Sequence, residues 1–153
     1  MGDIGERALS DVGPHPLTPS PESEGGVRFA GYAAVFDHVD RGGDVVRRGA
    51  FAGAGAVPLL WQHKPGAVIG TVEYLREDKR GLRVIGRISP RTAAGREAAA
   101  LLKEGAVSGL SFGYRVREAS EDKPRELRAL DLVEVSLVRF PMQPLARVHA
   151  VEE

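Results

Sequence analysis

The sequence predicts a mostly β fold with one or two helices. Its 153 residues fit one domain, and a compact chain near this size hides roughly 70% of its unfolded surface. Nineteen Gly and ten Pro interrupt short runs of β-branched residues, which is typical of several strands joined by turns. One segment is instead rich in Ala and Leu and favours a helix.

Residues 1–25 are expected to be a flexible N-terminal arm. They are rich in Pro, Ser, Gly and acidic residues and contain no aromatic residue, so they cannot bury enough apolar surface to offset the entropy of ordering. The folded domain is expected to cover residues 26–148, and residues 149–153 to form a short C-terminal tail.

The first strand is expected from Val27, where "VRFAGYAAVF" alternates between apolar and smaller or polar residues. The polar stretch "DHVDRGGDVV" connects it to a short apolar piece, and "RRGAFAGAG" is a brief helical turn or loop. Residues 57–89 then read as strand, break, strand, turn and strand. The polar sequence from Asp78 to Gly81 makes the last two strands the clearest β-hairpin of the chain.

A helix is expected next, because Thr92 can cap "AAGREAAALLKE" and Gly105 stands where a left-handed residue ends a helix. Its apolar face suits a dimer contact or the core equally well. Two strands follow in "VSGLSFGYRVRE" and "RALDLVEVSLVRF", separated by a charged loop. Pro141 and Pro144 then end the sheet.

Composition excludes several classes of protein. With 21 Lys and Arg against 21 Asp and Glu, the formal charge is zero, which argues against a general nucleic-acid binder. The absence of Cys excludes disulfides, thiolate zinc sites and a Cys nucleophile. No signal-peptide pattern and no apolar run long enough for a bilayer is present. We therefore expect a soluble, cytoplasmic protein that binds neither nucleic acid nor membranes.

Residues 109–113, Gly-Leu-Ser-Phe-Gly, match the G-x-S-x-G pattern of hydrolase nucleophile elbows. In that fold the serine follows a strand and opens a helix, whereas here the predicted helix precedes Ser111 and a strand pattern follows it. The histidine downstream, His149, lies near the chain end in a segment with little to fix it. The match does not indicate an elbow-type esterase.

On a strand, Ser111 shares one face with Gly109 and Gly113. In one interpretation the glycines leave Ser111 in an open trough that another backbone could approach closely. In the other they mark a bulge or twist and the serine is filler, and composition by itself favours this second interpretation.

A nucleophilic serine near neutral pH needs a base, and histidine, with an unperturbed pKa of about 6.5, suits that role. His15 lies in the arm and His149 near the other end, so neither suits a preorganised site. His38 lies in a polar loop, which is typical of a solvated histidine. His63 follows the apolar "VPLLWQ" at the rim of the expected core. The sequence is equally compatible with two roles for His63: a catalytic base, or an edge-strand histidine hydrogen-bonded to a backbone carbonyl.

Glu134 stands in the apolar run "DLVEVSLV". An ionised carboxylate there needs a partner, because burying it unpaired carries a penalty of several kcal/mol. A histidine ring N–H would satisfy it and fix the tautomer that faces a serine. A purely structural pair with Arg115 or Arg139 fits the sequence as well.

Five segments together resemble, in order and spacing, the prohead proteases that mature the capsids of tailed bacteriophages. They are "GYAAVFDHVDRGGDVVRRGAF", "VPLLWQHKP", "GTVEYLREDKRGLRVIGRIS", "LLKEGAVSGLSFGYRV" and "LDLVEVSLVRFPMQPLA". The resemblance runs from about Phe29 to Ala146 and so covers nearly everything outside the arm.

That family is also similar to the herpesvirus assembly proteases. The resemblance therefore implies a small, largely antiparallel β-barrel flanked by a few helices. It makes His63, after the "LLWQ" segment, the catalytic base and Ser111, in the "GLSFGY" motif, the nucleophile. The herpesvirus triad has a second histidine opening a strand, and Glu134 stands in that place here. Glu134 is thus the expected third member, with Ser136 as a weaker alternative.

The viral relatives support the oxyanion with arginines shortly after that strand. Arg139 is the nearest equivalent, although its spacing differs. Gly109, Leu110 and Gly113 flank the nucleophile and are expected to contact the oxyanion or the substrate. No metal and no cofactor are expected.

The resemblance implies a serine endopeptidase that cleaves the scaffolding segment of the major capsid protein, and itself, inside procapsids in the bacterial host cytoplasm. A homodimer is a further expectation, because the viral relatives dimerise through a helix. The alternative is a non-catalytic capsid-assembly or scaffolding module on the same barrel. The presence of both Ser111 and His63 argues against it.

Overall fold

The computed structural model of the chain describes residues 26–153, which form eight strands and one helix. The elements are β1 (Val27–Val35), β2 (Asp44–Val46), β3 (Pro58–Trp61), β4 (Lys64–Glu77), β5 (Gly81–Ile88), α1 (Ala93–Lys103), β6 (Gly109–Ala119), β7 (Arg125–Val138) and β8 (Val148–Glu152). The mostly β prediction is confirmed, with one helix in this range rather than a few. The predicted arm, residues 1–25, lies outside the described residues.

The strands form one sheet in the order β2-β7-β3-β4-β5-β1-β8, with β6 on β7 as an additional partner. Most neighbours are antiparallel, as predicted. Strand β7 is the exception, because it runs parallel to β2 and to β3. The parallel pairing with β3 brings the end of β3 beside residues 135–137 of β7.

The sheet is not a closed barrel. The start of β6 meets residues 146–148 through a single bridge between Gly109 and Arg147. The Leu110 N–H donates to the Ala146 carbonyl at 2.9 Å, and the Val148 N–H donates to the Ser108 carbonyl at 2.8 Å. These contacts stop after Leu110, so the outer edge of β6 from Ser111 onward has no strand partner among the described residues.

The predicted β4–β5 hairpin is confirmed and its turn is built from Asp78. The Asp78 N–H donates to the Gly81 carbonyl at 2.9 Å, and its carboxylate accepts the Arg80 N–H at 2.8 Å. A Cβ at position 81 would lie 1.9 Å from the Ala34 carbonyl oxygen of β1, so glycine is required where the two backbones meet.

Helix α1 begins after Thr92, whose hydroxyl accepts the Gly95 N–H at 3.0 Å, and Gly105 follows its end with φ +78°. Ala98 and Leu102 are buried in the main core. The apolar face of the helix therefore packs into the core of its own domain. Helix α1 has 11 residues, and no helix within residues 26–153 has the length and apolarity of a membrane span.

The C-terminal tail predicted for residues 149–153 is wrong, because Val148–Glu152 form strand β8 against β1. Glu152 pairs in register with Arg28, and the Arg28 guanidinium donates to its carboxylate at 3.1 Å. The folded unit thus continues past residue 148.

The core decides which way β6 and β7 present their side chains. Leu110 of β6 and Val135 and Leu137 of β7 are fully buried in the main cluster. Because side chains alternate along a strand, the intervening Ser111, Glu134 and Ser136 share the opposite face of this strand pair. The face away from the core therefore carries the predicted catalytic residues.

Candidate active site

The pairing of β6 with β7 brings two of the three predicted catalytic residues together. Ser111 lies directly across from Ser136, and Gly113 lies directly across from Glu134. Ser111 and Glu134 are therefore diagonal neighbours on one face, a relationship in which residues lie about 7–8 Å apart, still within reach of a long side chain. Ser111 and Glu134 are both buried, with 5% and 7% of their surface exposed.

The third predicted residue, His63, lies in a tight turn between β3 and β4. Trp61 pairs with Lys64, and the two residues between them, Gln62 and His63, have φ of +55° and +62°. Positive φ at both central residues is the requirement of a type I′ hairpin loop, which glycine or asparagine usually meets. For other residues the left-handed region is unfavourable by about 1–2 kcal/mol each, and such strain is concentrated at functional sites.

The strained turn is anchored to β7. The Gln62 N–H donates to the Leu137 carbonyl at 2.9 Å, and the Gln62 side-chain oxygen accepts the Arg139 N–H at 3.1 Å. The His63 N–H donates to the Ser136 hydroxyl at 3.1 Å. These bonds hold the histidine backbone over the face that carries Ser111 and Glu134.

His63 and Glu134 form a direct pair, with 2.5 Å between His63 Nδ1 and Glu134 Oε2. The other carboxylate oxygen, Oε1, accepts the Ser136 hydroxyl at 2.6 Å. The partners of the Glu134 carboxylate are therefore His63 and Ser136. Within residues 26–153 it forms no ion pair with an arginine. The histidine interpretation of Glu134 is the one that the geometry supports.

Two cavities flank the His63 ring. A cavity of about 210 Å³ is lined by His63, Ser111, Phe112, Asp40, Phe140 and Met142, among others. A second, of about 440 Å³, is lined by His63, Glu134, Pro58, Leu60, Val68 and Val133, among others. In the described chain the Ser111 hydroxyl is not hydrogen-bonded to His63, although both side chains line the first cavity. Catalytic contacts of this kind commonly tighten only when substrate binds.

The two glycines beside Ser111 do not leave an open trough. A Cβ at Gly113 would lie 2.5 Å from Glu134 Oε2, and a Cβ at Gly109 would lie 2.8 Å from the Pro141 ring. The space beside Ser111 is thus filled by the chain's own side chains. Gly113 makes room for the carboxylate that contacts His63.

Two of the predicted oxyanion contacts are placed differently from the expectation. The Leu110 N–H is already bonded to Ala146, so it is not free for an oxyanion. The Arg139 guanidinium lies over the Trp61 ring, 5.9 Å from its centroid, and Arg139 is absent from the lining of both cavities. Along a strand, every second N–H points to the same edge. The next N–H after Leu110 on the outer edge of β6 is therefore that of Phe112, and this part of the edge is unpaired.

Sequence reasoning missed Phe112, Gln62 and the apolar rim formed by Phe140 and Met142. A signal for the rim existed: the two side chains flank Pro141, where the strand pattern ends, and they are 79% and 50% exposed. No sequence signal of this kind marks Gln62, because the turn contains neither glycine nor asparagine, the residues that usually adopt positive φ.

The remaining histidines lie elsewhere. His38 is exposed in the loop after β1, and the His149 ring lies on β8, 5.8 Å from the Tyr32 ring. His15 falls outside the described residues. Within residues 26–153, no group of three or more His, Cys, Asp or Glu is arranged to hold a metal ion.

Chemically, the site couples an acid, an imidazole and a hydroxyl. Glu134 accepts a hydrogen bond from His63 Nδ1–H, which leaves Nε2 as the nitrogen that can take a proton. Ser111 lines the same cavity as that ring. These are the three kinds of group that nucleophilic acyl transfer with a positioned general base uses.

Comparison with solved structures supports the fold. The KSHV protease bound to a hexapeptide phosphonate inhibitor aligns with a TM-score of 0.60 at 12% identity, covering 84% of this chain and 65% of that one. The varicella-zoster virus protease aligns with a TM-score of 0.54 at 17% identity, covering 83% and 64%. The expected herpesvirus-protease-like fold is confirmed.

Comparison at the level of sequence is more specific. The prohead protease of Enterobacteria phage HK97 is 31% identical over 138 residues, which cover 81% of this chain. The match spans 60% of the length of that relative. Residues 17–153 match the family described as Caudovirus prohead serine protease. The chain belongs to the Caudovirus prohead serine protease family.

Proposed function

We propose that the chain is a serine endopeptidase in which Ser111 is the nucleophile, His63 the general base and Glu134 the residue that orients the histidine. The observation that carries the proposal is the 2.5 Å contact between His63 Nδ1 and a buried Glu134 carboxylate, on a ring that shares a cavity with Ser111. Membership of a serine protease family supports the same assignment.

In the proposed reaction the Ser111 Oγ attacks the carbonyl carbon of a peptide bond while His63 Nε2 takes the hydroxyl proton. The tetrahedral intermediate collapses, the C–N bond breaks and His63 returns the proton to the leaving amine. Water then attacks the acyl-enzyme with His63 again as base, which releases the carboxylic acid and restores the Ser111 hydroxyl. Glu134 offsets the positive charge on His63 at each step.

The unpaired edge of β6 offers a place for substrate. An extended peptide can add as a strand beside Ser111, with main-chain hydrogen bonds to β6 and side chains in the flanking cavities. The Phe112 N–H points to that edge and is a candidate oxyanion donor. Removal of one such donor lowers kcat by roughly 10²- to 10³-fold in enzymes where it has been measured.

The proposed substrate is the scaffolding segment of a major capsid protein, together with the protease itself, inside a procapsid in the cytoplasm of the bacterial host. The support is the family description and the curated relative, a prohead protease of phage HK97.

The direct test is co-expression with a candidate major capsid protein from the same genome. Ser111→Ala should leave the protein folded and abolish cleavage, because among the described residues that line this cavity no other is a serine or threonine. Ser108→Ala is the matched control, since Ser108 lies three residues earlier and its hydroxyl accepts the Arg147 side chain instead. Undiminished cleavage by the Ser111→Ala protein would refute the assignment.

Labelling separates an enzyme from a non-catalytic assembly module without knowledge of the substrate. A serine-reactive phosphonate should attach to Ser111 in the wild-type protein and fail to attach after His63→Ala, because the hydroxyl is then no longer activated. A protein that carries both residues but is not labelled would favour the assembly module.

A further inference from the structure

We propose that Ser136 is a positioning residue that holds His63 and Glu134 in their catalytic arrangement. The inference rests on the proposed function and goes beyond the triad. Ser136 contacts the backbone of His63 rather than its ring, so it is neither the nucleophile nor the third triad member.

The Ser136 hydroxyl makes two hydrogen bonds whose directions are fixed by chemistry. It accepts from the His63 backbone N–H at 3.1 Å, because an amide N–H can only donate. It therefore uses its one proton to donate to Glu134 Oε1 at 2.6 Å, because an ionised carboxylate can only accept. Ser136 is 0% exposed, so water does not compete for either bond.

Together with the triad contact, these bonds close a ring that begins and ends on His63. The path runs from the His63 N–H to the Ser136 hydroxyl, to the two oxygens of Glu134, and back to His63 Nδ1. Water is excluded around Ser136 and Glu134, which are 0% and 7% exposed, and there neighbouring hydrogen bonds strengthen one another. A single hydroxyl, that of Ser136, thus holds both the His63 backbone and the Glu134 carboxylate that the His63 side chain contacts.

The His63 backbone needs such support because it is left-handed. Gln62 and His63 both have positive φ without being glycine, and unfavourable backbone of this kind persists only where its surroundings impose it. The Gln62 N–H is bonded to Leu137, and the Ser136 hydroxyl holds the next N–H of the turn. Without the Ser136 hydroxyl, the turn loses the hydrogen bond to the His63 N–H, which is the bond nearest the imidazole.

The Glu134 carboxylate needs support on the other side. Its Oε2 contacts His63, and its Oε1 is held by Ser136. Only 7% of Glu134 is exposed, so water has little access to replace the Ser136 hydroxyl. Once the hydroxyl is removed, Oε1 is left as a buried acceptor without a donor. A buried acceptor without a donor is unfavourable, so the carboxylate would rotate toward another donor and loosen its contact with the ring.

The kinetic test compares Ser136→Ala with Ser136→Thr, using a peptide or capsid substrate that the wild-type protein cleaves. We expect Ser136→Ala to lower kcat by about 10- to 100-fold, the effect typical of removing a residue that orients a metal-binding histidine, with KM nearly unchanged. Ser136→Thr keeps the hydroxyl and should restore most of the loss. Ser120→Ala is the matched control, since the Ser120 hydroxyl accepts a backbone N–H from Glu126 at 2.8 Å, in the connection between β6 and β7.

A second measurement does not depend on activity. In the Ser111→Ala protein, the proton between His63 Nδ1 and Glu134 should give a far-downfield NMR resonance, because short charge-assisted hydrogen bonds have this signature. Adding Ser136→Ala should abolish or shift it, and adding Ser120→Ala should not. Circular dichroism and thermal unfolding verify that each variant is folded.

The outcomes separate this inference from the proposed function. If the wild-type protein cleaves and Ser136→Ala has an unchanged kcat, the positioning role is refuted and the triad stands. If kcat falls but the downfield resonance is retained, or if folded Ser136→Thr is as slow as Ser136→Ala, the proposed route through Glu134 is refuted. If the wild-type protein neither cleaves nor reacts with a phosphonate, the proposed function fails, while the NMR comparison still tests the ring of hydrogen bonds.

Discussion

Gly113 lies directly across the β6–β7 pair from Glu134, and the glutamate carboxylate occupies the volume that a side chain at position 113 would fill. The relationship explains why a glycine stands inside a strand, where it is otherwise unfavourable. The absence of a side chain at position 113 leaves room for the carboxylate to reach His63.

Gly113→Ala should therefore inactivate the protein without unfolding it. The added Cβ would lie 2.5 Å from Glu134 Oε2 and would displace the carboxylate from His63. Because a displacement near 1 Å in an active site can lower the rate by about 10²-fold, we expect a loss of at least that order in kcat. Gly55→Ala is the control, since no atom lies within 4 Å of its Cβ position. Equal activity of the two variants would contradict the role of Gly113.

Glu134→Gln should lower kcat far more than it raises KM. The amide is nearly the same size but carries no negative charge to offset an imidazolium and cannot enforce the same histidine tautomer. The corresponding change in a serine protease triad lowers kcat by about 10⁴-fold, so we expect a loss of about 10²- to 10⁴-fold here. Glu126→Gln is the control on the same strand, because Glu126 pairs with Arg47 and Arg128 away from the site. An unchanged kcat would return Glu134 to a structural role.

Arg139→Ala should have a small kinetic effect. The Arg139 guanidinium lies over Trp61. Arg139 contacts the Gln62–His63 turn through its backbone N–H, which alanine retains. We expect kcat to fall far less than the roughly 10²- to 10³-fold that follows loss of an oxyanion donor. Stability should fall by about 0.5–1 kcal/mol, as for an exposed cation–π contact. Steady-state kinetics and chemical denaturation measure both effects, and a 10²-fold loss in kcat would restore the predicted oxyanion role.

Tyr32 should make stability depend on pH in the alkaline range. Burial, together with the Asp78 carboxylate that accepts its hydroxyl at 2.5 Å, raises the pKa of Tyr32 from 10.0 to about 12. Between these values the unfolded chain loses the phenol proton and the folded chain keeps it. The stabilisation is therefore complete below pH 10 and is lost as the pH rises toward 12.

The measurement is the free energy of unfolding as a function of pH for the wild-type protein and Tyr32→Phe. The free energy of unfolding should fall more steeply with pH in the wild-type protein than in Tyr32→Phe through this alkaline range. The phenolate absorbance of Tyr32 should appear at a higher pH than that of a free tyrosine. Parallel curves for the two proteins would show that Tyr32 keeps an ordinary pKa in the folded state.

The sequence predicted the elements that local patterns encode. The turn from Asp78 to Gly81 and the cap at Thr92 both formed where their residue types indicated. Local prediction failed at β8, because a short exposed segment becomes a strand only through pairing with β1, more than a hundred residues earlier.

The sequence by itself determined which residues are the candidates for the chemistry, since a serine, a histidine and an acid in an apolar run stand out by type and surroundings. The tertiary structure decided how they meet. The register that sets Gly113 opposite Glu134, the left-handed turn that aims His63, and the two bonds of Ser136 all depend on β3, β6 and β7 coming together. Strand register is set by pairing between distant segments, and a shift of one residue would move Ser111 and Glu134 to the core face.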